Sequence, residues 1–264
     1  MPALELNGET ISFERAGAGT PVLLLHSLGT HAGLWASTLA ALSDRFDLVA
    51  MDCRGHGGSS NRTGFSVEAI ARDGLALMAA LGHQRFHVAG CSMGGLFAVA
   101  LHALAPLRCL SLTLAGAYAT VGAAGPPRIA TTRETLATMP MAEFGRRYAD
   151  DTVISADSGA RKLVAHAIAA MTCGDYLQTL EAILTADVSP LLAQIAVPTL
   201  VLVGTADMRA PPVVVRSLAG SIAGAVFREI EGAGHLMLDE AVAFDQQLRA
   251  FLLGRQGGGV QPGL

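Results

Sequence analysis

Lysine is almost absent. Lys162 is the only one, and arginine supplies the rest of the 18 basic residues against 22 acidic ones. The net charge of −4 leaves no basic face to follow a nucleic acid backbone and no polybasic run to hold a membrane surface. Charged residues make up only 15% of the 264 and hydrophobic ones 51%, which excludes disorder for the main body. Apolar runs of membrane-spanning length are also missing, although the mean hydropathy is +0.44. The most apolar stretch, residues 93–107, is interrupted by His102 and Pro106 and falls short of the roughly 18 residues a spanning helix needs. It reads as a helix buried against a sheet. The opening Met1-Pro-Ala-Leu-Glu-Leu6 lacks the charged-then-apolar order of a secretion signal, so the expected location is cytoplasmic. Cysteines are few, and Cys53, Cys91, Cys109 and Cys173 show no CxxC spacing. Buried, reduced thiols are expected, with no metal and no disulfide framework.

What the chain does have is a repeated pattern of short apolar runs that end in Gly, Ser or Asp. Val22-Leu-Leu-Leu25 runs into His26-Ser-Leu-Gly29, and Phe46-Asp-Leu-Val-Ala-Met51 into Asp52-Cys-Arg-Gly-His-Gly57. Phe86-His-Val-Ala89 runs into Gly90-Cys-Ser-Met-Gly-Gly95, and Leu110-Ser-Leu-Thr-Leu-Ala115 into Gly116. Thr199-Leu-Val-Leu-Val203 ends at Gly204-Thr-Ala-Asp207, and Val226-Phe-Arg-Glu-Ile230 ends near Gly232-Ala-Gly-His235. Near-continuous apolar strands belong to a sheet covered on both faces. Residues 66–81, 93–105, 211–219 and 239–253 have the length and spacing of covering helices, with Ser66 as an N-cap and Glu68 in the first turn. Strand–helix alternation predicts a doubly wound α/β fold with a mostly parallel sheet. Ligands of such sheets bind at the carboxyl ends of the strands, where every polar cluster above sits.

The alternation stops between about Tyr118 and Ser189. Helical patterns occupy residues 133–150 and 160–183, and no strand is convincing there. The expected organisation is a core of residues 1–117 and 188–264 with a helical cap, residues 118–187, inserted over the strand ends. The tail from Gly257 to Leu264 is expected to fray.

Gly90-Cys91-Ser92-Met93-Gly94 matches G-x-S-x-G, a pattern that a random chain of this composition would show about 0.2 times. Its setting strengthens it, because it follows an apolar strand and opens an apolar helix, as a sharply turned nucleophile requires. Side chains at Gly90 and Gly94 would collide with neighbouring elements in such a turn. A serine hydroxyl needs a base at neutral pH. His235, on the loop between the last strand and the last helix, fits that role. Asp207, just after the strand that begins at Thr199, fits the acid that fixes the imidazole tautomer. The position after the strand ending at Ala115 reads Gly116-Ala117-Tyr118, so no alternative acid stands there. Asp239 and Glu240 read as the start of the last helix. The backbone N–H groups of Leu28 and Met93 are the candidate oxyanion hole. His26 is expected to brace its loop, and the Asp52–Gly57 loop, lacking partners with metal spacing, to be structural.

The set His26-Ser-Leu-Gly-Thr30, Trp35, Asp52-x-Arg-Gly-His-Gly57, Gly90-x-Ser-Met-Gly-Gly95, Pro198-Thr-Leu-Val-x-Val-Gly-Thr-x-Asp207 and Gly234-His235 resembles the α/β-hydrolase superfamily. Within it, the chain looks most like the 3-oxoadipate enol-lactonase and carboxylesterase group. The resemblance implies hydrolysis of a small-molecule lactone or carboxylic ester through an acyl-enzyme, with no metal or organic cofactor. It also implies a cap that selects the substrate. Trp35 is the only tryptophan, so the cap lacks the one expected of an enol-lactonase. Arg128, Arg133, Arg146, Arg147 and Arg161 in the cap are expected mainly on solvated helix faces. The substrate-binding residues stay unknown. A carbon–carbon bond hydrolase, a weakly catalytic ligand-binding protein, acyl transfer or perhydrolysis, and a homo-oligomeric assembly all stay open.

Overall fold

The structure, a computed structural model, describes residues 1–155 and 158–254. The tail expected to fray, 257–264, lies outside them. Eight strands form one sheet in the order β1-β2-β4-β3-β5-β6-β7-β8. The six strands expected from the apolar runs are β3 (Thr20–Leu25), β4 (Phe46–Met51), β5 (Phe86–Cys91), β6 (Cys109–Ala115), β7 (Thr199–Gly204) and β8 (Val226–Ile230). They pair in parallel throughout. Every residue of β4, β5 and β7 is buried, which is why their sequences show no polar face.

Two further strands, β1 (Ala3–Leu6) and β2 (Glu9–Ala16), add an antiparallel hairpin beside β4. The apolar-run pattern does not show them, because β1 alternates exposed and half-buried residues at the sheet edge. The available signal was the turn. Asn7 and Gly8 both have positive φ, 53° and 82°, as the tightest hairpin turns require.

The covering helices are α1 (Ala36–Leu42), α2 (Val67–Ala80) and α3 (Met93–Leu104) on the N-terminal side of the sheet sequence. Ser66 caps α2 by accepting from the Ala69 N–H at 3.1 Å. Between β6 and β7 lie α4 (Gly125–Leu136), α5 (Met141–Thr152), α6 (Ser158–Ala170), α7 (Cys173–Thr185) and the short α8 (Ser189–Leu192). The two expected helical stretches thus divide. Pro140, in an extended conformation, breaks residues 133–150, and Thr172, whose side chain caps α7, breaks 160–183. The stems of this insertion meet at its base, where Thr120 and Asp187 form an isolated antiparallel bridge. The chain closes with α9 (Pro212–Gly220) and α10 (Ala241–Leu253). Asp239 and Glu240 lie in a 3₁₀ turn ahead of α10 and not in its first turn.

A polar network anchors the loops at the carboxyl end of β4. Buried Arg54 donates to both carboxylate oxygens of Asp73, at 2.6 and 2.9 Å. Asp52 accepts from the Ala32 and Gly58 N–H groups. Burial alone would raise the Glu9 pKa, but hydrogen bonds from Ser60, Arg62 and Thr63 hold it down at about 2. The carboxylates of Asp52, Asp73 and Glu9 are therefore all occupied by protein donors. Among the described residues, no helix is long and apolar enough to cross a membrane.

Candidate active site

Ser92 stands between β5 and α3 with φ 53° and ψ −112°, a conformation that a non-glycine residue holds only under constraint. The two glycines around it show what the constraint is. A Cβ on Gly90 would lie 2.1 Å from the Gly94 carbonyl oxygen, and one on Gly94 would lie 2.1 Å from the Leu25 carbonyl oxygen. Only glycine lets strand, turn and helix approach this closely. The turn lifts the serine hydroxyl out of the sheet at the N-terminus of α3.

The structure brings the three predicted side chains together. The Ser92 hydroxyl lies 2.8 Å from Nε2 of His235. Nδ1 of His235 donates to Asp207, 2.9 Å from Oδ2 and 3.0 Å from Oδ1. All three residues are buried, with 6%, 5% and 1% of their surface exposed for Ser92, His235 and Asp207. Asp207 is itself fixed, because its Oδ1 accepts from the N–H groups of Arg209 and Ala210, each at 2.8 Å. Gly116 passes so near that a Cβ there would sit 3.2 Å from Asp207 Oδ2 and 3.4 Å from His235 Nδ1. The position without a carboxylate after β6 is thus where the imidazole and its acid need room.

The loop that carries His235 is tied down from below. Asp239 accepts from the Gly234 N–H with Oδ2 and from the Ser155 N–H with Oδ1. Its carboxylate therefore links the histidine loop to the segment following α5, a role its position before the last helix does not reveal. Cys91, next to Ser92, has its Sγ 3.9 Å from the His235 carbonyl oxygen. Burial pushes its thiol pKa well up, so the sulfur stays a neutral spacer.

Leu28 and Met93 are buried beside the serine, and among the described residues neither N–H finds an acceptor. Unpaired buried amides are rare, and an incoming oxyanion would satisfy both. The loop that presents Leu28 is braced by His26, as its position suggested. Nε2 of His26 accepts from the Cys53 N–H at 2.9 Å, and Nδ1 donates to the Ser27 carbonyl at 2.8 Å. Protonation would destroy the first of these bonds, and burial lowers the pKa of His26 to about 4.

A cavity of about 480 Å³ opens above Ser92 and His235, roofed by α4, α5 and α7. Leu180, Ile183 and Leu184 give it an apolar wall. Of the five arginines of the insertion considered from sequence, Arg128 and Arg147 reach the cavity. Arg133 pairs with Glu181 and Arg161 with Asp150 on solvated faces. The sequence reading missed Arg209, and it missed that all three tyrosines of the chain, Tyr118, Tyr148 and Tyr176, line this one cavity. Their scarcity was a usable signal: all three fall between β6 and β7, in the segment that forms the roof.

Comparison with known proteins agrees with this fold. The Alpha/beta hydrolase family matches residues 22–247. The 3-oxoadipate enol-lactonase 1 of Acinetobacter baylyi is 30% identical over 205 residues, which span 76% of this chain and 77% of that protein. The crystal structure of the enol-lactonase from Burkholderia xenovorans LB400 has a TM-score of 0.86 at 32% identity, covering 96% of this chain and 100% of that one. A hydrolase from Pseudomonas aeruginosa PA01 has a TM-score of 0.85 at 27% identity, over 97% and 98% of the two chains. With the family matched over the parallel strands, the serine turn and the histidine loop, the chain belongs to the alpha/beta hydrolase family.

Proposed function

We propose that this protein is a serine hydrolase that cleaves a small lactone or carboxylic ester through an acyl-enzyme. The observation that carries the reading is the unbroken relay from the Ser92 hydroxyl through His235 to Asp207, at 2.8 and 2.9 Å. In that role, Nε2 of His235 takes the Ser92 proton as Oγ attacks the substrate carbonyl. The new alkoxide is stabilised by the Leu28 and Met93 N–H groups, and each such donor contributes about 2.7–4 kcal/mol to transition-state stabilisation. The imidazolium gives its proton to the departing alcohol, or to the ring oxygen of a lactone. It then activates water to release the acid and regenerate Ser92.

The likeness to enol-lactonases supports a lactone as substrate, and the apolar wall of the cavity suits a short carbon skeleton. Ser92→Ala tests the reading. The variant should unfold at the wild-type temperature yet lose hydrolysis of p-nitrophenyl acetate, together with labelling by a serine-directed phosphonate. Wild-type-like turnover by Ser92→Ala would reject the proposal.

A further inference from the structure

The loop after β7 carries a cation, Arg209, that the hydrolytic relay does not use. Resting on the hydrolase reading above, we propose that Arg209 is a specificity-determining residue that anchors a carboxylate on the ester or lactone substrate, aided by the tyrosine hydroxyls of the cavity.

Arg209 is held on three sides and open on the fourth. Its backbone N–H donates to Asp207, so it shares the acid's loop. Its Nε donates to Thr152 Oγ1 at 2.8 Å, and its guanidinium lies over the Tyr148 ring, 4.1 Å from the centroid. These contacts fix the plane of the fork. Among the described residues the two terminal nitrogens meet no acceptor, although the residue is half-buried and lines the cavity with Ser92 and His235. A preorganised fork with two unused N–H edges is the group that recognises a carboxylate in bidentate fashion.

The surroundings favour an anion there. Arg128 and Arg147 line the same cavity, while Asp151 is its one lining carboxylate among the described residues, and it is solvent-exposed. Arg147 is neutralised by Glu143 at 2.6 Å, whereas Arg128 has no ion-pair partner among the described residues. Tyr118 and Tyr176 are buried, at 9% and 2% exposure, and among the described residues none of the three tyrosine hydroxyls has a hydrogen-bond partner. All three tyrosines line the cavity, so their hydroxyls are free to bond oxygen atoms of a ligand there. Arginine and tyrosine together select a ligand that carries an anionic, oxygen-rich end on an otherwise apolar skeleton.

The test compares two esters with the same leaving group, neutral p-nitrophenyl butyrate and the anionic mono-p-nitrophenyl ester of glutaric acid. The readout is the ratio of kcat/KM for the anionic ester to that for the neutral one. Wild type should favour the anionic ester, and Arg209→Gln should lower the ratio by about tenfold or more, chiefly through KM. Arg209→Lys, which keeps the charge but not the fork, should recover only part of it. A ratio within twofold of wild type in Arg209→Gln overturns the proposal, including the case in which both esters slow equally because the acid's loop has shifted. If Arg209→Gln does not fold, inhibition of wild type decides. Glutarate should compete with the neutral ester at least about tenfold better than glutaramide, and equal inhibition overturns the proposal. Failure of the underlying hydrolase reading looks different: wild type leaves the neutral ester intact, or Ser92→Ala cleaves it.

Discussion

Asp207 has no spare capacity. Two backbone amides and one imidazole fill its carboxylate, and it is fully enclosed. Replacing it with Asn keeps the size but offers an NH₂ where His235 now donates. The imidazole would then carry its proton on Nε2 and could not accept one from Ser92. Asp207→Asn is expected to fold and to lose about 10⁴-fold in kcat on an aryl ester, as steady-state kinetics alongside thermal unfolding would show. A loss below tenfold would mean that His235 keeps its tautomer without the acid. The sequence located these three residues because each lies just beyond a recognisable apolar strand. It could not locate Arg209 as a site residue, since the function proposed for it depends on Thr152 and Tyr148, which are remote in sequence.

The strand–turn–helix unit of β5 and α3 concentrates the constraint. The helix start must pass so close to the end of β3 that no side chain fits at Gly94, and the obstacle is backbone at Leu25, which cannot rotate away. Gly94→Ala is therefore expected to cost about 2–4 kcal/mol in denaturant unfolding. It should also reduce kcat, because Leu25 leads directly into the loop that presents Leu28. Gly82, after α2, with open space around its Cβ position but φ +85°, makes a control that carries the backbone cost alone, whereas Gly94 has no positive φ and carries the close-approach cost. A loss below about 1 kcal/mol for Gly94→Ala would show that the backbone at Leu25 gives way and that close approach does not govern the glycine. The same element-level view explains the hairpin of β1 and β2. Hydrophobic patterning is silent at a sheet edge, and only the Asn7-Gly8 turn marks it.

At the scale of the whole molecule, burial of histidine makes the fold sensitive to acid. Burial lowers His26 and His87 to about 4, and burial together with the adjacent His26 ring lowers His56 to about 3. In the unfolded chain these groups protonate near pH 6.5. Unfolding therefore takes up protons between about pH 6.5 and 4, and the stability present above that window is lost as pH falls through it. Each histidine is expected to withdraw about 2 kcal/mol between pH 7 and 5. His87, which faces Ser111 at 2.7 Å away from the cavity, isolates the effect. Urea unfolding of His87→Asn should show a pH 7 to 5 decline smaller than wild type by about that amount. An unchanged decline would place the acid sensitivity elsewhere. Glu9, held at about 2, contributes stability that is lost only at lower pH, between about 4.5 and 2.

The sequence by itself determined the parallel sheet, the serine turn and the placing of Ser92, Asp207 and His235 just beyond strand ends, because these follow from local rules: apolar runs make buried strands, and glycines permit close turns. Tertiary structure alone decided which side chains of the insertion face the serine. Helices α4, α5 and α7 carry polar groups on several sides, and only their packing over the strand ends separates the tyrosines of the cavity from the arginines left in solvent. Periodicity reports which residues are buried, but it cannot say which of two unlike surfaces buries them.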